Sequence, residues 1–244
     1  MKPARRFWKE TAITPADGGY SISLDGRGLR TPSGGGFLAP TMALAEVIRN
    51  EWDSQGDEIS PETMPMFQFT VTAIDRITPR REAIIDEISQ FGGSDLLCYR
   101  EDRDERLKAR QDEIWQPYLN WLAGRHGAEL VVVSGIMPQP QRDEALAVLR
   151  GAVAHFDDYN LAGLHSLVTI SGSLVLGLAM ADGHASAEDG GRAALLDELW
   201  QQEKWGYDED ADKRIKSLAK ALIEARQYMD CLLYTSDAAD ERSW

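Results

Sequence analysis

LVTISGSLVLGLAMA, residues 167–181, is the longest apolar run of this 244-residue chain. Crossing a bilayer takes roughly 20 apolar residues; this run is shorter, and Ser171, Gly172 and Ser173 sit in its middle. It therefore reads as the centre of one buried helix, LAGLHSLVTISGSLVLGLAMADG, residues 161–183, in which the small residues let neighbouring helices approach closely. A helix apolar on all sides must be surrounded by other elements. The run implies a helical body and no membrane insertion.

Helical periodicity extends outward from it. REAIIDEISQFGG (81–93) sets Ile84, Ile85, Ile88 and Phe91 in a stripe that Gly92 and Gly93 terminate. RLKARQDEIWQPYLNWLAGRHG (106–127) carries Leu107, Ile114, Trp115, Tyr118 and Leu122 on one side, with Pro117 expected to bend or divide the helix. AELVVVSG (128–135) is a lone strand-like interruption, and DEALAVLRGAVAHF (143–156) is helical again. Ser186 with Asp189 forms a capping box for a helix holding LLDELWQQEKWGYDEDADKR (195–214), which Gly206 closes. A final helix places Ile215, Leu218, Leu222 and Ala225 in register. After Met229 the pattern dissolves, and CLLYTSDAADERSW looks like translated sequencing adaptor; a poorly ordered, non-native end is expected.

The N-terminal part reads differently. FWKETAI (7–13) alternates with period two, and so do Tyr20, Ile22 and Leu24. Asp25-Gly26 supplies the positive φ angles of a tight hairpin, whose return strand runs to Thr31. Gly34, Gly35 and Gly36 lack the Lys-Ser/Thr pair of a phosphate cradle. Thr41 is a candidate N-cap for a helix carrying Leu44, Val47, Ile48, Glu51 and Trp52 and ending at Gly56. MPMFQFTVTAIDRI (64–77) fits strand or helix, and Pro65, suited to a first turn, favours helix. The fold class is α+β: a small β-containing domain over 1–78, a mainly helical domain over 79–229, and the tail 230–244.

A formal net charge of −14 argues against nucleic acid, which requires a cationic face. It favours a basic partner surface instead. Two cysteines, Cys98 and Cys231, make neither a disulfide framework nor a zinc cluster. The four histidines form no close ligand pair, and ISGSL is not a nucleophile elbow. Asp208, Asp210 and Asp212 begin a calcium-loop pattern, but Lys213 stands where its glycine belongs and Ala219 where its glutamate belongs, so an acidic helix start is the better reading. No nucleophile, base and orienting group assemble, and no catalytic residue, metal ligand or cofactor is expected. The competing reading is a metal- or carboxylate-dependent hydrolase using Glu198, Glu203 and the acidic run 208–212. A general holdase without a defined client is a third. Trp52, Trp115, Trp121 and Trp200 lie at helical spacing beside apolar residues and are expected in the core.

EWDSQGDEISPETMPMFQFTVTAIDR, DLLCYR, RQDEIWQPYLNWL, SGSLVLGLAMADG and LLDELWQQEKWGYDEDADKR occur in the order and spacing of one family. Over residues 5–229 the chain resembles the ATP-twelve family, assembly chaperones of F-type ATP synthase that bind the free alpha subunit. The resemblance implies a small N-terminal β-containing domain, a helical C-terminal domain, no catalysis and no cofactor. Members occur in mitochondria and in some bacteria; without a recognisable transit peptide, the bacterial cytoplasm is expected. The family's functionally sensitive acidic helix matches DELWQQEKWG, which makes Glu198 and Glu203 the carried-over positions. Asp197 beside them and Trp205, a candidate anchor or a packing contact at the turn, complete the expected partner-binding set. Trp52 matches a position the family needs, for folding if not for binding.

Overall fold

Asp25 and Gly26 both have positive φ, 48° and 75°. That conformation closes a tight turn, with Leu24 paired to Arg27. In the computed structural model, which describes residues 5–135, 137–206 and 208–233, this turn joins strands β2 (Gly19–Leu24) and β3 (Arg27–Gly28). Strand β1 (Thr11–Ala16) pairs antiparallel with β2, with Ile13 opposite Ile22, giving the order β1-β2-β3. The expected strand FWKETAI is thus displaced: Phe7–Glu10 lie outside β1, Trp8 is buried and Phe7 is exposed. The return strand stops at Gly28 rather than Thr31, with only an isolated bridge from Arg30 to Gly36 beyond it.

The chain divides into two compact units: residues up to Arg80 with Asp158–Ala162 and the chain from Gln227, and Arg81–Asp157 with Gly163–Arg226. In the first, helix α1 (Met42–Asp53) starts as expected. Thr41 Oγ1 accepts from Leu44 N at 3.2 Å and donates to the Cys231 carbonyl at 2.6 Å. The helix ends at Asp53, before Gly56, because Ser54 caps it. MPMFQF resolves as helix α2 (Pro65–Thr72), continued by a π-helical turn over Ala73–Ile77. Glu51 explains why a carboxylate sits in the α1 stripe: its two oxygens accept from Met66 N and Phe67 N, both at 2.8 Å, satisfying the first free amides of α2. Trp52 is buried edge-to-face against Trp8 and Phe67, ring centroids 5.1 Å away in each case.

The second unit is built from helices α3 (Arg81–Gln90), α4 (Glu105–His126), α5 (Asp143–Ala154), the larger part of α6 (Asp158–Ser171), α7 (Leu174–Ala181), α8 (Ala187–Ala194), α9 (Leu196–Trp205) and most of α10 (Glu209–Leu233). Strands β4 (Tyr99–Arg100) and β5 (Val133–Ser134) pair in parallel, so AELVVVSG contributes only two strand residues. Pro117 does not divide α4, which runs unbroken for 22 residues to Gly127 at φ 74°. The run of residues 161–183 is two helices rather than one: Gly172 takes φ 70°, and Ser173 caps α7 through Leu176 N at 3.0 Å. Ser186 does cap a helix, accepting from Asp189 N at 3.0 Å and donating its hydroxyl to Asp189 Oδ2 at 2.9 Å, but the helix is α8; the acidic stretch starts a separate helix after Leu195. The last helix continues past Met229 to Leu233, with Leu232 buried, and the rest of the expected tail lies outside the described residues.

The break before α7 is fixed by Asp95, which is 0% exposed. Its Oδ1 accepts from Ser173 Oγ at 2.8 Å and Leu97 N at 3.0 Å, and its Oδ2 from Val175 N at 3.1 Å. Burial raises its pKa from 3.8 to about 6 against the pull of those hydrogen bonds. Burial, then the Asp95 charge, pushes the Cys98 thiol to about 12, so that thiol is not a thiolate at neutral pH. Helix α7, freed to turn, buries every residue from Leu174 to Met180. A Cβ at Gly177 would come 2.4 Å from Val168 Cγ2, so α6 and α7 meet where only hydrogen fits.

Two outcomes follow from this packing. Gly177→Ala is expected to destabilise the chain by about 1–3 kcal/mol through overpacking, read from denaturant midpoints. Because the folded state holds the Asp95 proton more tightly than the unfolded state, stability from this group falls as pH rises from about 4 to about 6. The stability difference between the parent and Asp95→Asn should shift against the parent across that window and stay flat outside it.

Candidate partner-binding site

LDELWQQEKW forms α9 and buries only Leu196 fully. Its positive-φ glycine, Gly206 at 96°, ends the helix as expected. What holds α9 down is mainly polar. Asp197 Oδ1 accepts from Gln111 Nε2 at 2.8 Å on α4, and its pKa is raised chiefly by burial. Glu203 Oε2 meets Arg110 Nη1 at 2.7 Å, which lowers the pKa of the glutamate and raises that of the arginine. Lys204 pairs with Asp104, the N-cap of α4, and holds that carboxyl below its usual range. Trp200 is half-buried with Arg110 at 5.6 Å and Lys204 at 5.3 Å from its ring, both within cation–π range.

Glu198 faces elsewhere. Its Oε2 accepts from Arg214 Nη1 at 2.7 Å, across the Gly206 break and onto α10. The acidic start of α10 acts as a helix start: Asp208 Oδ1 accepts from Asp210 N at 2.9 Å and Ala211 N at 3.0 Å, and Glu209 and Asp212 pair with Lys213 and Lys216 one turn on. Glu198, Glu203, Asp208, Glu209 and Asp212, which a hydrolase would use, therefore bind this chain's own arginines, lysines and amides. Among the described residues, no group of three His, Cys, Asp or Glu side chains is placed to hold a metal.

Trp205, the last residue of α9, is 78% exposed, whereas Trp115 is 1% exposed and donates Nε1–H to the Ala193 carbonyl at 2.8 Å. The packing role considered for Trp205 does not hold. Of the four tryptophans expected in the core, Trp52 and Trp115 are there. Trp200 and Trp121 are only half-buried, the latter stacked on His184 with centroids 5.0 Å apart. Glu198, Trp205 and Arg214 line one hollow of about 530 Å³. Asp197 and Glu203 instead make their bonds to α4. Sequence reading missed Arg110, Gln111, Lys204 and Arg214. None lies at a helical spacing from its acidic partner on the same helix, so no periodicity links them.

Comparison with known proteins places this geometry among relatives. A family model described as ATP12 chaperone protein matches residues 5–123. The crystal structure of Atp12 from Paracoccus denitrificans superposes with a TM-score of 0.91 at 37% identity, over 93% of this chain and 98% of that one. The mitochondrial protein atp12 of Schizosaccharomyces pombe is 26% identical over 219 residues, covering 85% of this chain and 75% of its own. The mitochondrial protein ATP12 of Saccharomyces cerevisiae is 22% identical, covering 87% and 80% respectively.

Exposure separates the two tryptophans experimentally. Trp205→Ala should change unfolding free energy by no more than about 0.5 kcal/mol, whereas Trp115→Ala should cost about 3–5 kcal/mol, both read from denaturant melts.

Proposed function

The chain belongs to the ATP12 chaperone protein family, and we propose that it is an ATP-independent assembly chaperone for the F-type ATP synthase. Its client is the unassembled alpha subunit, held until beta takes its place. The work is binding rather than catalysis, carried out in the bacterial cytoplasm, and no helix of the described residues is long and apolar enough to cross a membrane.

The observation that carries this reading is Trp205, an indole left in water at the end of a helix, with Glu198 and Asp208 lining the same hollow. A tryptophan this exposed contributes little to a fold, but it is the side-chain type that anchors interfaces. An unpaired alpha subunit presents apolar surface that belongs against beta, and such surface aggregates. Covering it reversibly requires modest affinity: about micromolar, or roughly 8 kcal/mol, lets a larger native interface displace the chaperone without nucleotide. The apolar anchor does the holding. The acidic surround speeds encounter with a basic surface and selects among partners. Ion pairs as exposed as Glu198–Arg214 and Glu203–Arg110 add little net stability, so exchanging them for client cations is cheap.

Mixed near-equimolar with isolated alpha subunit and no nucleotide, the protein should suppress light scattering, more effectively at low salt. Scattering that is unchanged across a low-salt titration contradicts the proposal. Glu198→Lys should weaken the holding while circular dichroism and the melting midpoint stay put; an unfolded variant would make Glu198 structural.

A further inference from the structure

We infer that the hollow beside Trp205 is a subsite for an arginine side chain presented by the client. This rests on the partner-holding reading and specifies the chemistry that Trp205 and its neighbours recognise. Glu198, Gln201, Gln202, Trp205, Asp208 and Arg214 line the hollow. Its volume of about 530 Å³ accommodates one long side chain together with the peptide that carries it.

The site already contains the ligand's chemistry. Arg214 places a guanidinium nitrogen 2.7 Å from Glu198 Oε2, with 62% of the arginine side chain still exposed. Glu198 is thus set to receive a guanidinium, and Arg214 is the internal placeholder that occupies it in the free chain. A client arginine replaces one exposed ion pair by another, an exchange close to neutral by itself. The gain comes from what Arg214 does not use. Trp205 is 78% exposed and offers its indole, on which a guanidinium stacks better than an ammonium does. Asp208 adds negative charge while its cap to Asp210 N and Ala211 N fixes its position. The net charge of −14 draws a basic segment toward the hollow.

The test uses the full chain with indole ¹⁵N label, the Trp205 resonance being identified by its loss in Trp205→Phe. N-acetyl-arginine amide should shift that resonance saturably, N-acetyl-lysine amide more weakly, and neutral N-acetyl-citrulline amide not at all. Arg214→Ala, which empties the placeholder, should tighten arginine binding roughly fivefold, and Glu198→Gln should abolish it. Should Arg214→Ala fail to fold by circular dichroism, Arg214→Gln carries the same expectation. A Trp205 resonance unmoved by the arginine amide in both the parent and the emptied variant overturns the subsite, as does an equal shift with citrulline. The two proposals fail separately: arginine binding without suppression of alpha-subunit scattering defeats the chaperone reading alone, and suppression without arginine binding defeats the subsite alone.

Discussion

One buried carboxylate organises the helical unit. Asp95 accepts from a serine hydroxyl and the amides of Leu97 and Val175, and so tethers the turn after α3 to the first turn of α7. An ionised group with no water around it would be costly if left unpaired. Three donors on two segments tie its satisfaction to both segments being in place. With the break at Gly172 held there, α7 runs through the core with every residue from Leu174 to Met180 buried, and α8 follows across it, Gly190 lying so near Met180 that a Cβ would meet its sulfur at 2.5 Å. Trp115 then closes on this layer through its bond to the Ala193 carbonyl.

Helix α9 follows immediately and obeys a different logic. It buries one leucine and relies on ion pairs and an amide hydrogen bond to α4. Such contacts fix direction while contributing little holding energy, and water and salt compete for them. A helix attached in this way can present Trp205 outward without disturbing the packed layers beneath. Stability resides in α7 and its neighbours, and the proposed recognition resides in a helix whose loss of contacts would cost the core little.

Much of this was legible from residue order because it depends on local rules. Thr41, the Asp25-Gly26 turn, the Ser186 cap and Gly206 behave as their side chains or backbone freedom require, whatever surrounds them. The α+β class and the isoleucine stripe of α3 followed from periodicity. What escaped depended on partners distant in sequence. Nothing near residue 95 announces that its carboxylate will cap a helix some eighty residues on, so SGS read as packing residues inside one helix instead of a break between two. Phe7–Glu10 alternate like a strand, yet Arg6 binds the Asp53 and Gln55 carbonyls and ties that segment down as coil. At the site, the acidic residues of α9 could be named, but not which way they face. Glu198 and Glu203, five positions apart, reach arginines on two different helices.

The claim that matters most is that the Trp205 end of α9 and the start of α10 form the surface that meets the client. Amide hydrogen exchange of the full chain, with and without isolated alpha subunit, tests it directly. Slowed exchange concentrated over residues 198–206 and 208–214, with α7 unchanged, is the expected footprint. Protection confined to other segments, with these residues exchanging as in the free protein, would contradict it.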